Sequence, residues 1–312
     1  VFRIGVVNID VSHPLAFATY LAQGERARYA AIYNDGFRGD DEVEAFMQRF
    51  GIEKRCGSIE EMADSVDIGF VQSCNWNNHI EQAMPFIERG KPVFIDKPVA
   101  GSLADCKRLE ELAANGAVIL GSSSVRYCNE ITEFVARPEE ERGKIVNVFG
   151  TSGLDEFNYG VHIVEGIGAL FGTGAASCRF VGRGEVDGKK TETFFVRYEN
   201  GMTATYNTFL GIWQPFELVI MTTRSTYHIG IDSSKLYAAM LDRICDFMET
   251  GKKMAAMPEL TESVKIMLAG RISRQTGGGE VLLADIPEDD PGYNGDEFER
   301  GYAASASKIY LQ

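Results

Sequence analysis

The chain has 312 residues, 45% hydrophobic and 24% charged, which suits about two globular domains with a sizeable core and excludes a disordered, collagen-like or disulfide-stapled protein. Its 31 Lys and Arg against 45 Asp and Glu give a formal net charge of −14. A surface so acidic repels phosphate backbones and anionic lipid headgroups, so the expected partner is a small molecule and neither a nucleic acid nor a membrane. The six cysteines, Cys56, Cys74, Cys106, Cys128, Cys178 and Cys245, lack the two-residue spacing of a zinc ribbon or redox dithiol and are read as reduced thiols. No apolar run approaches the ~18 residues of a membrane span and no targeting segment is evident, so a cytoplasmic protein is expected.

From Phe2 to about Gly121, short β-rich runs alternate with longer amphipathic stretches, as in a parallel sheet covered by helices. Strands are predicted at Phe2–Ile9, Tyr29–Asn34, around Arg55–Cys56, and at Ile68–Ser73, Pro92–Ile95 and Ala117–Leu120. Helices are predicted at Pro14–Ala22, Asp41–Phe50, His79–Arg89 and Leu103–Asn115. Six strands with intervening helices predict a doubly wound, Rossmann-like domain over residues 1–123.

After Tyr127 the pattern changes. Apart from a helix around Val161–Leu170, strand-like runs dominate: Ile145–Gly150, Ser177–Val181, Thr191–Tyr198, Met202–Phe209, Phe216–Met221 and Thr226–Ile229, with a hairpin signal at Asn200-Gly201. Helices follow over Ser233–Thr250, with an apolar stripe Met240, Leu241, Ile244, Phe247 and Met248 assigned to core, and over Leu260–Gln275. Residues 124–286 thus read as an α+β domain with a largely antiparallel, open-faced sheet, suited to substrate binding and self-association as a homodimer or homotetramer. Residues 287–312 read as an acidic tail, its run Glu288-Asp289-Asp290 solvated.

Ligands of open α/β sheets sit at the carboxyl ends of the strands, which directs attention to three polar clusters: Asn8 to Pro14, Asn75 to His79, and Asp96-Lys97-Pro98. Lys97 stands between a strand end and a stiffening proline, where its amine can donate to a substrate oxygen or shuttle a proton. Read alone, it is a surface lysine in a loop.

Gly90 to Ala100 with Asp96-Lys97-Pro98, the following helix, and Arg126-Tyr127 resemble the Glu-Lys-Pro region of the glucose-fructose oxidoreductase and inositol dehydrogenase (Gfo/Idh/MocA) family. Asn158-Tyr159-Gly160-Val161-His162-Ile163-Val164-Glu165 is similar to that family's Asp-x-Gly-x-His-x-x-Asp segment. The resemblance implies NAD(P)-dependent hydride transfer on a sugar, cyclitol or related polyol, with the nicotinamide held between the domains. It gives Lys97 the reacting oxygen, His162 the acid/base role or its relay, and Asn158 the place of the usual aspartate. Trp76 and His79 would line the nicotinamide side, and Arg126 with Tyr127 the hinge side. An amide cannot titrate, so Asn158 orients but does not act as a base, and proton transfer falls to Lys97, His162, Tyr159 or Glu165.

The dinucleotide fingerprint should fall at Asn8, Asp10 and His13, yet none is glycine. A carboxylate facing pyrophosphate would interact unfavourably by ~4 kcal/mol per nearby unit charge at a surface-like dielectric. Three readings follow. In one the cofactor binds with Asp10 turned outward, Ser12 capping the first helix and its amides meeting the phosphates. In the second the fold hosts a non-redox reaction, such as elimination, hydrolysis or epimerisation, or a sugar-binding role. The third, a metal site of Asp10, His13, His79 and Asp96, is the least supported, so no metal is expected. Asp35 favours NAD through the ribose hydroxyls, nearby Arg38 leaves NADP open, and Asn34-Asp35-Gly36 reads equally well as a plain turn. Trp213 is a candidate for stacking on a sugar ring, though packing is the commoner use of a tryptophan near a proline.

Overall fold

A computed structural model describes residues 1–312. The first sheet is built from β1 (Phe2–Val7), β2 (Ala27–Tyr33), β3 (Lys54–Arg55), β4 (Ile68–Val71), β5 (Val93–Asp96) and β6 (Ile119–Ser122), all parallel, in the order β3-β2-β1-β4-β5-β6. Between them run α1 (His13–Leu21), α2 (Asp40–Phe50), α3 (Ile59–Ser65), α4 (His79–Ile87) and α5 (Leu103–Ala114). The near-continuous apolar strands suit a sheet covered on both faces: β4 and β5 are wholly buried. The strand order reverses between β1 and β4, which sets the ligand crevice beside the loops that leave these two strands.

The second domain begins with α6 (Asn129–Ala136) and α7 (Glu139–Arg142) and continues through β7 (Ile145–Ser152), α8 (Gly160–Phe171), β8 (Ala175–Val186), β9 (Lys189–Tyr198), β10 (Thr203–Leu210), β11 (Glu217–Thr222) and β12 (Thr226–Gly230). After α9 (Leu236–Thr250) and α10 (Met257–Gln275), β13 (Val281–Leu282) completes a seven-stranded sheet ordered β12-β11-β7-β10-β9-β8-β13. Only β7 and β10 pair in parallel. Alternate residues of β9, Glu192, Phe194, Val196 and Tyr198, are buried while their neighbours are not, so the sheet has one covered and one open face. Gly201, at φ +88°, makes the hairpin turn expected at Asn200-Gly201.

Two departures from the expected organisation follow from long-range packing. The α9 stripe is core, but the core it completes is that of the first domain: Met240, Leu241, Ile244 and Cys245 join Phe17, Phe46, Phe70 and Phe94. Arg26 ties the outer side of this helix down through Asp246 and Glu249, each at 2.7 Å. Residues 287–312 are no solvated tail. Asp290 pairs with buried Arg271, Glu288 with Lys107, and α11 (Gly295–Ser305) lies on the first domain. All six cysteines are free and buried, and no helix is long and apolar enough to cross a membrane.

Candidate active site

The end of β5 carries the first half of the site. Buried Asp96 ends the strand, accepts the Lys97 amide at 2.8 Å, and pairs with His13 Nδ1 at 2.7 Å. Burial works to raise its pKa, but His13 and Lys97 outweigh it and hold the carboxyl below its ordinary range. The chain therefore leaves β5 from an anchored point, and Lys97 reaches across to the second domain. Its Nζ donates to the Asn158 carbonyl at 3.0 Å and to Asn158 Oδ1 at 2.9 Å, and lies 5.2 Å from the centre of the Tyr159 ring. Burial lowers its pKa, against the pull of Asp96 and Asp155. An ammonium has three donors, so one remains for a ligand.

Asn158 stands just before α8, and His162 is in that helix's first turn. The imidazole is buried, and its Nδ1 lies 2.7 Å from Ser123 Oγ. Burial, with the charges of Lys97 and His13 adding to it, pushes its pKa well below the ordinary range. His162 is thus a neutral ring within the field of Lys97. Beside Asn158 opens a cavity of about 500 Å³ bordered by Trp76, Asp155, Phe157 and, from α11, Phe298 and Tyr302.

The loop after β1 is arranged differently. Asn8 takes the left-handed conformation, φ +63°, that a glycine would supply at the first fingerprint position, and its side chain fixes it there by accepting the Asp35 amide and donating to Ser73 Oγ, both at 2.9 Å. Asp10 points inward, not outward, and is fully buried. Its Oδ2 accepts the Cys74 amide at 3.1 Å, and its Oδ1 lies 2.0 Å from where a Cβ on Gly36 would stand, so only glycine fits there. Burial and the charge of Glu299 push Asp10 up to about 6. Ser12 makes no cap with its side chain, and His13 is engaged with Asp96 and stacked on Phe17. Asp35 is exposed, receiving the Tyr33 hydroxyl at 3.3 Å.

Trp76 stays at the site as a buried wall of the cavity, donating to the Tyr293 carbonyl at 2.7 Å and packed against Phe157 and Phe298. Several other residues singled out from the sequence lie away from this site. His79 is sealed in, with Nε2 2.9 Å from the Ser73 carbonyl. Arg126 is buried against Glu165 at 3.0 Å and donates to the Glu259 carbonyl, while the Tyr127 hydroxyl donates to Gly121. This pair clamps the domain junction, and Glu165, also bonded to Ser122, has no free role as a base. Trp213 is 62% exposed on the loop after β10. The four-residue metal set does not converge: His13 meets Asp96, His79 meets Ser73, and the acidic ligand-type atoms that do gather, within 4.8 Å, are those of Asp10, Cys74 and Glu299. Ser123 and Asp155 gave no signal in sequence, because a lone polar residue acquires its role from partners far along the chain, and Arg38, read there as leaving NADP open, is instead spent on the Asp10 and Ser307 carbonyls.

The two halves of the crevice fit a dinucleotide unequally. The half beside Lys97 offers a free donor, and the cavity beside Asn158 is walled on its other side by residues of the segment 293–305. The half beside Asp10 is covered, since the Tyr310 hydroxyl donates to the Val11 carbonyl at 2.6 Å and Arg38 bridges the Asp10 and Ser307 carbonyls. Residues 307–310 thus lie over the loops that leave β1 and β2.

Residues 2–123 match the oxidoreductase family described as having an NAD-binding Rossmann fold, Gfo/Idh/MocA. An 80-residue stretch is 32% identical to 1,5-anhydro-D-fructose reductase of Ensifer adhaerens, spanning 25% of this chain and 24% of that protein. Among solved structures, a probable dehydrogenase from Thermotoga maritima superposes with a TM-score of 0.78 at 17% identity, covering 91% of this chain and 100% of its own. Scyllo-inositol dehydrogenase from Lactobacillus casei, with bound NAD(H) and scyllo-inositol, gives 0.77 at 14% identity over 91% and 99%. At such identities the structural likeness speaks for the fold. Residues 2–123 thus carry the NAD-binding Rossmann domain described for the Gfo/Idh/MocA oxidoreductase family.

Proposed function

We propose that the protein is an NAD(P)-dependent oxidoreductase that acts at a carbon bearing a hydroxyl or carbonyl on a sugar, cyclitol or related polyol. The observation that carries this reading is the Lys97 ammonium, held by both oxygens of Asn158 at the junction of the two domains with one donor unused. When bound, the nicotinamide would supply or accept the hydride. Lys97 then polarises the substrate oxygen and moves a proton at it, a task that its lowered pKa favours. Asn158 fixes the direction of the ammonium, and neutral His162, its Nδ1 on Ser123 Oγ, relays a proton that Lys97 gives up. Asp10 and Asn8 belong to the cofactor loop, with Asp35 on its ribose side, and the open face of the second sheet is the surface for a homodimer or homotetramer.

The test is turnover with NADH, NADPH and their oxidised forms across a panel of sugars and inositols, comparing the unaltered chain with Lys97→Met. Turnover lost in the variant, with its melting temperature kept, supports the reading, and equal turnover removes it. The non-redox reading draws on the covered Asp10 half of the crevice. Substrate conversion without any nicotinamide would establish it.

A further inference from the structure

The carboxyl edge of the parallel sheet is gripped, loop by loop, by one segment of the same chain. After β1, Val11 receives the Tyr310 hydroxyl. After β2, Arg38 donates to the Ser307 carbonyl at 2.7 Å and the Phe37 ring meets Tyr302. After β4, Asn75 Nδ2 donates to Asp296 at 2.7 Å and to Glu299 at 3.0 Å. After β5, the Gly101 carbonyl accepts the Tyr293 amide at 2.9 Å. The contact is built, not incidental: a Cβ on Gly292, whose φ is +66°, would lie 2.1 Å from the Gly101 carbonyl oxygen, so the two main chains meet where only glycine fits. Asn294 caps α11 by accepting the Glu297 amide, and Tyr310 is buried against Phe46.

In a doubly wound fold these same loops receive a dinucleotide, with its pyrophosphate at the start of α1 and its adenosine beyond β2. We infer that this edge is a docking surface for residues 293–312 of the chain itself, and that the segment and NAD(H) occupy it in turn, so that binding of one releases the other. The inference rests on the oxidoreductase reading above. With the docked form predominant, apparent affinity for the dinucleotide falls by the fraction of molecules that are open, and weakening the segment's own contacts restores it.

Hydrogen exchange of the full chain, with and without saturating NADH, reads the segment directly, and NADH titration of the unaltered chain, Phe298→Ala and Tyr310→Phe reads the competition. The expected results are lost protection over residues 293–312 on NADH addition, and apparent affinity tighter by about tenfold in Phe298→Ala and by a few-fold in Tyr310→Phe. Tyr310→Phe keeps the buried ring and removes only the hydroxyl, so it serves if Phe298→Ala does not fold. NADH bound while residues 293–312 stay protected, or variants that bind no tighter, overturns the exchange of occupants and leaves the oxidoreductase reading standing. Binding of neither NADH nor NADPH by any of the three chains overturns both.

Discussion

The two halves of one crevice solve opposite problems. Beside Lys97, charged groups are paired in a way that leaves capacity over: His13 serves Asp96, Asn158 serves Lys97, and one ammonium donor remains unspent. Beside Asp10 the chain has used its own side chains up. Arg38, the nearest cation, spends Nε and Nη2 on the Asp10 carbonyl and not on its carboxylate, which is left buried with one oxygen unpartnered. The Lys97 half thus offers a donor to a ligand oxygen, whereas the Asp10 half offers only a buried acceptor that an anionic phosphate would not meet favourably.

Removing the ammonium should give the largest separation between the halves. Lys97→Met is expected to lower kcat/KM by about 10²–10⁴, the range for a general acid or base, with the melting temperature kept. A loss confined to stability would make Lys97 a domain strut. At the other half, Asp10→Asn tests the buried carboxyl. Its folded-state pKa of about 6, against an ordinary 3.8, means that the folded protein holds the proton more tightly than the unfolded chain. That contribution is complete below pH 3.8 and is lost as the pH rises through 6, so at pH 8 the ionised group costs the fold roughly 3 kcal/mol. Asp10→Asn should therefore raise the melting temperature at pH 8 by about 5 °C and flatten its fall between pH 5 and 7. A lower melting temperature at pH 8 would show the carboxylate to be stabilising.

A smaller effect is expected from His162→Gln, about 10–100-fold on kcat, which sharpens the relay role given to its ring. Since burial holds this imidazole neutral, the pH profile of the unaltered protein should show no limb near 6.5 that the substitution removes. Trp213→Ala, at an exposed position outside both halves, should leave turnover unchanged and move stability by no more than about 0.5 kcal/mol. A rise in KM would restore Trp213 as a sugar platform.

Much of the architecture was legible because it rests on local periodicity. Every strand of the first sheet except two-residue β3 announced itself as an apolar run, and α2 carries its pattern in Val43, Phe46 and Met47. Short, acidic α3 gave no such pattern and went unread. Lys97, Asn158 and His162 were found through a resemblance, and the structure brings them to one junction. The segment 293–312 was misread from its acidic composition, although Asn294 with Glu297 formed a capping signal and Phe298 with Tyr302 an aromatic pair at helical spacing.

The sequence by itself determined the elements, their order and the doubly wound class, since these depend on spacings of two to four residues along the chain. Only the tertiary structure decided which buried polar groups would be paired and which left over. Asp10 meets Cys74, Arg38 meets Ser307 and Lys97 meets Asn158 across 64, 269 and 61 residues of sequence. A hydrogen bond is short in space whatever its separation in the chain, so the state of each half of the crevice was settled when the chain closed on itself.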